Sequence, residues 1–173
     1  MSEQAKEIDL YGNTKLHSAI RSDAEQSLVD VLLKDGMDPN AQNEKGQTPL
    51  HLAVESIYQP NPCIQMLLEA KADPNIKDRL GNTSLHCAVR NDNQKVVELL
   101  QKYQADLLVK NNLNETPADL ALRLASQPTQ VYLRSHQEQK EMDLQSKQER
   151  NEFEREFEAL PISAPSPSRS RRI

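Results

Sequence analysis

Three histidines, His17, His51 and His86, stand 34 and 35 residues apart, each three residues after a threonine (Thr14, Thr48 and Thr83). Imidazoles ligate zinc or move protons, and Cys63 and Cys87 add two thiols to the inventory. The spacing argues against both uses. Zinc needs ligands at about 2 Å from one ion. Groups carried one per unit of a helical stack stand about 10 Å apart if the layers pack at the usual distance. A buried imidazole held by hydrogen bonds is the better reading. Cys87 adjoins His86, but neighbouring helical residues point in different directions, so a Cys–His nucleophile is not expected. The two cysteines form no Cys-x-x-Cys pair, and with four glycines there is neither a phosphate-cradling loop nor a Gly-x-Ser-x-Gly elbow. No catalytic residue, metal ligand or cofactor site is expected. His136 is a lone, solvated histidine.

The elements that carry these histidines are themselves periodic. Gly12-Asn13-Thr14-Lys15-Leu16-His17, Gly46-Gln47-Thr48-Pro49-Leu50-His51 and Gly81-Asn82-Thr83-Ser84-Leu85-His86 repeat one pattern, and Asn114-Glu115-Thr116-Pro117-Ala118-Asp119 closes the series. A period of 33 to 35 residues marks a helical repeat array. Within 43–77, Thr48 caps a helix that starts at Pro49, where a missing N–H costs nothing. Leu50, Leu52, Ala53 and Val54 give that helix its apolar side. Tyr58–Pro62 breaks it, Asn61 caps a second helix carrying Ile64, Met66, Leu67 and Leu68, and Asp73-Pro74-Asn75 turns the chain by bonds to its own backbone. The unit is helix, turn, helix, turn.

Composition suits such a stack. Hydrophobic residues make up 36% and aromatics 3% of the 173 residues, thin for one globular core but sufficient where each unit packs only on its neighbours. Net charge is −5, and all of it lies in residues 1–133, with 13 Lys+Arg against 18 Asp+Glu. That balance disfavours nucleic acid, which is held by cations on phosphates. No stretch approaches the roughly 20 apolar residues of a membrane span, and the polar start lacks the apolar core of a secretory signal. Two unpaired thiols suit a reducing compartment, so a cytoplasmic location is expected.

The linked pattern Thr-Pro-Leu-His-x-Ala, then Val-x-x-Leu-Leu, then Ala-Asp-x-Asn resembles the ankyrin repeat. The resemblance covers residues 9–133, as units at about 9–42, 43–77, 78–110 and 111–133. It implies an all-α ankyrin-repeat solenoid of three full repeats and a partial C-terminal capping repeat. It also implies that Thr14, His17, Thr48, Pro49, His51, Thr83, His86, Thr116 and Pro117 are structural, the histidines tying neighbouring loops together. Lys15 and Ser84 replace the motif proline. The extra length at 23–25 and 57–62 falls between helices. Ala118 and Asp119 replace Leu and His, as suits a capping unit with a polar outer face.

Ankyrin-type stacks bind proteins through loop tips and the exposed side of the first helix. Carried over, this implies a partner-binding set of Tyr11, Asn13, Arg21, Lys45, Gln47, Glu55, Arg79, Leu80, Asn82, Arg90, Leu113 and Glu115. The residue before each motif glycine, or before Asn114, is Tyr11, Lys45, Leu80 or Leu113. Either these project as a row of binding groups or each packs on its neighbour.

Residues 1–8 form an N-terminal extension. Residues 134–160 are charged and free of Gly and Pro, which favours helix. Phe153, Phe157 and Leu160 fall on one helical face, so some contact is expected there. Residues 161–173, rich in Ser, Pro and Arg, read as disordered. The expected function is a non-enzymatic, monomeric scaffold that binds a protein partner, with no role for nucleic acid or membrane. A Glu-rich cluster before a Ser-rich C-terminus also resembles type IV secretion signals. That alternative would make the chain a bacterial effector acting on a host protein inside the host cell.

Overall fold

A computed structural model of the chain describes residues 8–22, 26–56 and 61–159, with side chains to 155. Among them are eight α-helices: α1 Lys15–Arg21, α2 Gln26–Lys34, α3 Pro49–Glu55, α4 Cys63–Glu69, α5 Ser84–Arg90, α6 Gln94–Lys102, α7 Pro117–Leu124 and α8 Gln127–Ala159. A lone antiparallel bridge joins Ile8 to Thr14. Contacts separate residues up to Gln137 from those after it.

Helices α1, α3, α5 and α7 contact one another in turn, and α1, α3 and α5 each pack on the helix that follows. The repeating apolar positions fill the seams. Leu16, Leu50 and Leu85 are fully buried, as are Ala53 and Ala88, whose small side chains let the helices approach closely. Val29, Ile64, Leu67, Val97 and Leu100 close the second layer. The Asp-Pro-Asn turns do more than the local bonding expected of them. Asp38 and Asp73 accept from the N–H two residues on, whereas Asn40 Oδ1 accepts from Asp73 N (2.7 Å) and Asn75 Oδ1 from Asp106 N (2.6 Å) in the next repeat.

The motif glycines have two reasons to be glycine. Gly12, Gly46 and Gly81 take φ values of +72°, +72° and +77°, where a Cβ is penalised. A Cβ would also stand 3.0 Å from Glu44 N, 2.9 Å from Arg79 N and 2.7 Å from Asn112 N, against the following loop. The fourth unit has Asn114 at φ 63°, a residue type that tolerates left-handed backbone, and it is exposed.

Helix α8 begins as the second helix of the fourth unit, burying Thr129 and Leu133, and runs through the expected boundary at 133/134. Asp92, at φ 49°, anchors its start by accepting from Ser126 N (3.0 Å) and Thr129 Oγ1 (2.9 Å). Beyond Gln137 the helix continues to Ala159, and residues 141–155 are exposed. Phe153 is 69% exposed. The side chain of Phe157, Leu160, the extension 1–7, the insertions 23–25 and 57–60 and the tail 161–173 lie outside the described residues.

Three substitutions test these arguments by thermal or urea unfolding. Gly81→Ala should cost about 2 kcal/mol, combining left-handed strain with displacement of the Asn112 backbone; Asn114→Gly should leave stability within about 0.5 kcal/mol or raise it. Ser84 occupies the position of Pro49 and Pro117 and is fully buried, with its Oγ lacking a hydrogen-bond partner among the described residues. Ser84→Pro should therefore stabilise by about 1 kcal/mol, from a less free unfolded chain and loss of the unsatisfied hydroxyl.

Candidate protein-binding surface

Each loop is organised by one polar side chain. Asp9, Asn43, Asp78 and Asn111 accept through Oδ1 from the backbone N–H two and four residues on, at 2.8–3.1 Å. The hydrogen bonds from Asn13 hold the Asp9 carboxyl below the usual carboxylate range. These four residues carry no role in the sequence reading, although they recur at intervals of 34, 35 and 33, three before each glycine or Asn114.

The loops are then locked to one another. Glu44 N donates to Tyr11 O, Arg79 N to Lys45 O and Asn112 N to Leu80 O, each at 3.0 Å. The histidines add a second tie. His17 Nε2 lies 3.0 Å from Gln47 O, His51 Nε2 3.2 Å from Asn82 O and His86 Nε2 3.1 Å from Glu115 O. A carbonyl can only accept, so Nε2 carries the proton. Nδ1 is then free to accept from the N–H of Thr14, Thr48 or Thr83 at 3.2 Å. In the last unit there is no further carbonyl to reach, and Asp119 suffices: its Oδ2 accepts from Thr116 N at 2.9 Å. Among the described residues no group of three or more His, Cys, Asp or Glu side chains is arranged for a metal. Cys87 is fully buried, its Sγ 3.5 Å from Glu55 Oε1, and desolvation pushes its thiol far above the usual range, which holds it protonated.

This division of labour sorts the expected partner-binding set. The side chains of Tyr11, Lys45, Leu80 and Leu113 are exposed while the backbones of the first three carry the ladder, so the tip residues project rather than pack on their neighbours. Asn13 and Asn82 are largely taken up by the stack. They are 3% and 7% exposed, and their Oδ1 atoms accept from Asn43 and Asn111 of the following loops, at 2.9 and 3.1 Å. Glu55 is taken up by Arg90 and Gln47, and Glu115 by Arg123 at 3.0 Å. A groove of about 560 Å³ runs between the loops and the first helices. Tyr11, Asn13, Arg21, Lys45, Gln47, Glu55 and Arg79 line it, together with Asn43, Glu44 and Leu52. Leu80, Arg90 and Leu113 lie outside it. Leu52 was legible only as a core position; half-buried, it also forms part of the groove wall.

A two-helix repeat with a Thr–His cap, a loop laddered to the next loop and a groove along the first helices defines a helical repeat array built to present a surface. The family model for ankyrin repeats, in three copies, matches residues 2–78 and 57–144, and the chain belongs to the ankyrin-repeat family. Among curated proteins it is similar to the human transient receptor potential cation channel subfamily A member 1, with 42% identity over 55 residues. That stretch is 32% of this chain and 5% of the channel subunit, so the likeness is confined to a small part of that protein.

Burial lowers the pKa of His17, His51 and His86 from the ordinary 6.5, against the opposing pull of the carbonyls they face. The unfolded chain therefore binds protons more readily. The stabilisation is complete above pH 6.5 and is lost as pH falls from there through the lower folded values. The unfolding midpoint should fall between pH 7.5 and 5.5, and His51→Gln should flatten that slope while lowering stability at pH 7.5. An equally steep slope in the variant would remove His51 as a source.

Proposed function

We propose that this ankyrin array is a non-enzymatic scaffold that binds a protein partner along the groove between its loop tips and first helices. Ankyrin repeats are a protein–protein interaction module. The observation that supports placing the contact here is the separation of tasks within each loop. Backbone atoms and buried Asn, Thr and His side chains hold the stack, while Tyr11, Arg21, Lys45 and Arg79 face the groove without a hydrogen bond or ion pair from their side chains among the described residues. A stack stabilised by its own ladder presents these groups already ordered, which lowers the entropic cost of association.

The test is affinity capture from cell lysate with the full chain, followed by mass spectrometry. Wild type is compared with Tyr11→Ser combined with Arg79→Ser. The double variant should lose at least one protein by tenfold or more and keep its unfolding midpoint within about 3 °C, since exposed side chains contribute little to stability. An unchanged set of captured proteins would rule this surface out.

A further inference from the structure

The groove has a chemical bias that the array as a whole does not share. Residues 1–133 carry 13 Lys+Arg against 18 Asp+Glu, so an average patch of this surface is acidic. Three cations nevertheless line one groove: Arg21 at the end of α1, Lys45 at the second loop tip and Arg79 in the third loop. Of the two acids lining it, Glu55 is already bonded to Arg90 and to Gln47 Nε2 (2.9 Å). Asp9 is occupied by Asn13 and the loop N–H groups. Glu44 is left as the single acid of the lining outside such a bond among the described residues. Tyr11 and Leu52 supply apolar surface between the charges.

We propose that this groove takes an acidic peptide segment that carries one bulky apolar side chain. The proposal rests on the reading that the array binds its partner here. Carboxylates supply the missing counterions, with the two guanidiniums able to hold them in two-pronged fashion and Lys45 acting as a point charge. The apolar side chain covers Leu52 and the ring of Tyr11, and Tyr11 keeps its hydroxyl in water. Charge complementarity of this kind sets partner choice and association rate, so binding weakens as salt is added.

The experiment is a selection of random 12-residue peptides on the full-length chain. The recovered peptides are then titrated by fluorescence anisotropy against wild type, Arg21→Gln/Lys45→Gln/Arg79→Gln and Arg21→Glu/Lys45→Glu/Arg79→Glu, each checked for an unchanged unfolding midpoint. The expected peptides are net negative with an aromatic or large aliphatic residue. They should bind the neutralised variant at least tenfold more weakly and the reversed variant not measurably. Their Kd should rise at least fivefold between 50 and 300 mM salt. Neutral or basic peptides that still lose binding on Tyr11→Ser would overturn the acidic chemistry and leave the groove as the binding surface. Peptides indifferent to every groove substitution, or no enrichment at all, would overturn both. Self-association in sedimentation that the Gln variant abolishes would give the groove to a second copy of this chain and sink the proposal of an external acidic segment.

Discussion

The rest of the structure depends on one requirement: the polar groups buried between adjacent loops must find their partners in the next repeat. Each histidine spends Nδ1 on its own helix cap and Nε2 on a carbonyl 29–31 residues further along the chain. An unpaired imidazole in that position would cost the desolvation of a buried polar group, so the distance between repeats has little freedom. The loop backbone bonds, the Asn13–Asn43 and Asn82–Asn111 pairs and the Asn40 and Asn75 bridges repeat the same offset at other depths of the seam. Stacking is therefore specified by polar matching as well as by the buried leucines.

The same requirement explains where the pattern relaxes. A repeat followed by another needs glycine before the motif, because the next backbone passes within 3.0 Å of where a Cβ would be. It also uses an imidazole, whose Nδ1 serves its own cap while Nε2 reaches the following carbonyl. The last unit meets neither demand. Asn114 replaces glycine, and Asp119, held below the usual carboxylate range by its bonds from Thr116, replaces histidine. These departures are the chemistry of an end, and α8 closes that end by burying Leu133 and Thr129.

Function follows from what this ladder leaves over. Because backbone atoms and buried side chains bear the stacking load, the tip side chains are free to vary without loss of the fold. Tyr11, Lys45, Leu80 and Leu113 hold equivalent positions, and their exposed side chains are a phenol, an ammonium and two aliphatic groups. Arg21 and Arg79 likewise line the groove with exposed side chains.

The period, the helix pairs, the capping threonines and the structural character of the histidines were all legible in the sequence by itself. Each is a short-range consequence of residue type: proline at a helix start, glycine at positive φ, leucines at helical spacing. The sequence also marked the tip row as equivalent positions, but left open whether their side chains project or pack on their neighbours. The tertiary structure decided which polar residues are spent on stacking. Asn13 and Arg21 look equally available in the sequence, and both line the groove, yet Asn13 is almost fully buried and bonded to Asn43 while Arg21 is exposed. Nor did the sequence show that Glu55 is already paired with Arg90, or that Leu52 lines the groove beside three cations. Those facts depend on how one repeat is rotated and spaced against the next. That offset is set by hydrogen bonds between residues about thirty apart, which no local pattern of residue types encodes.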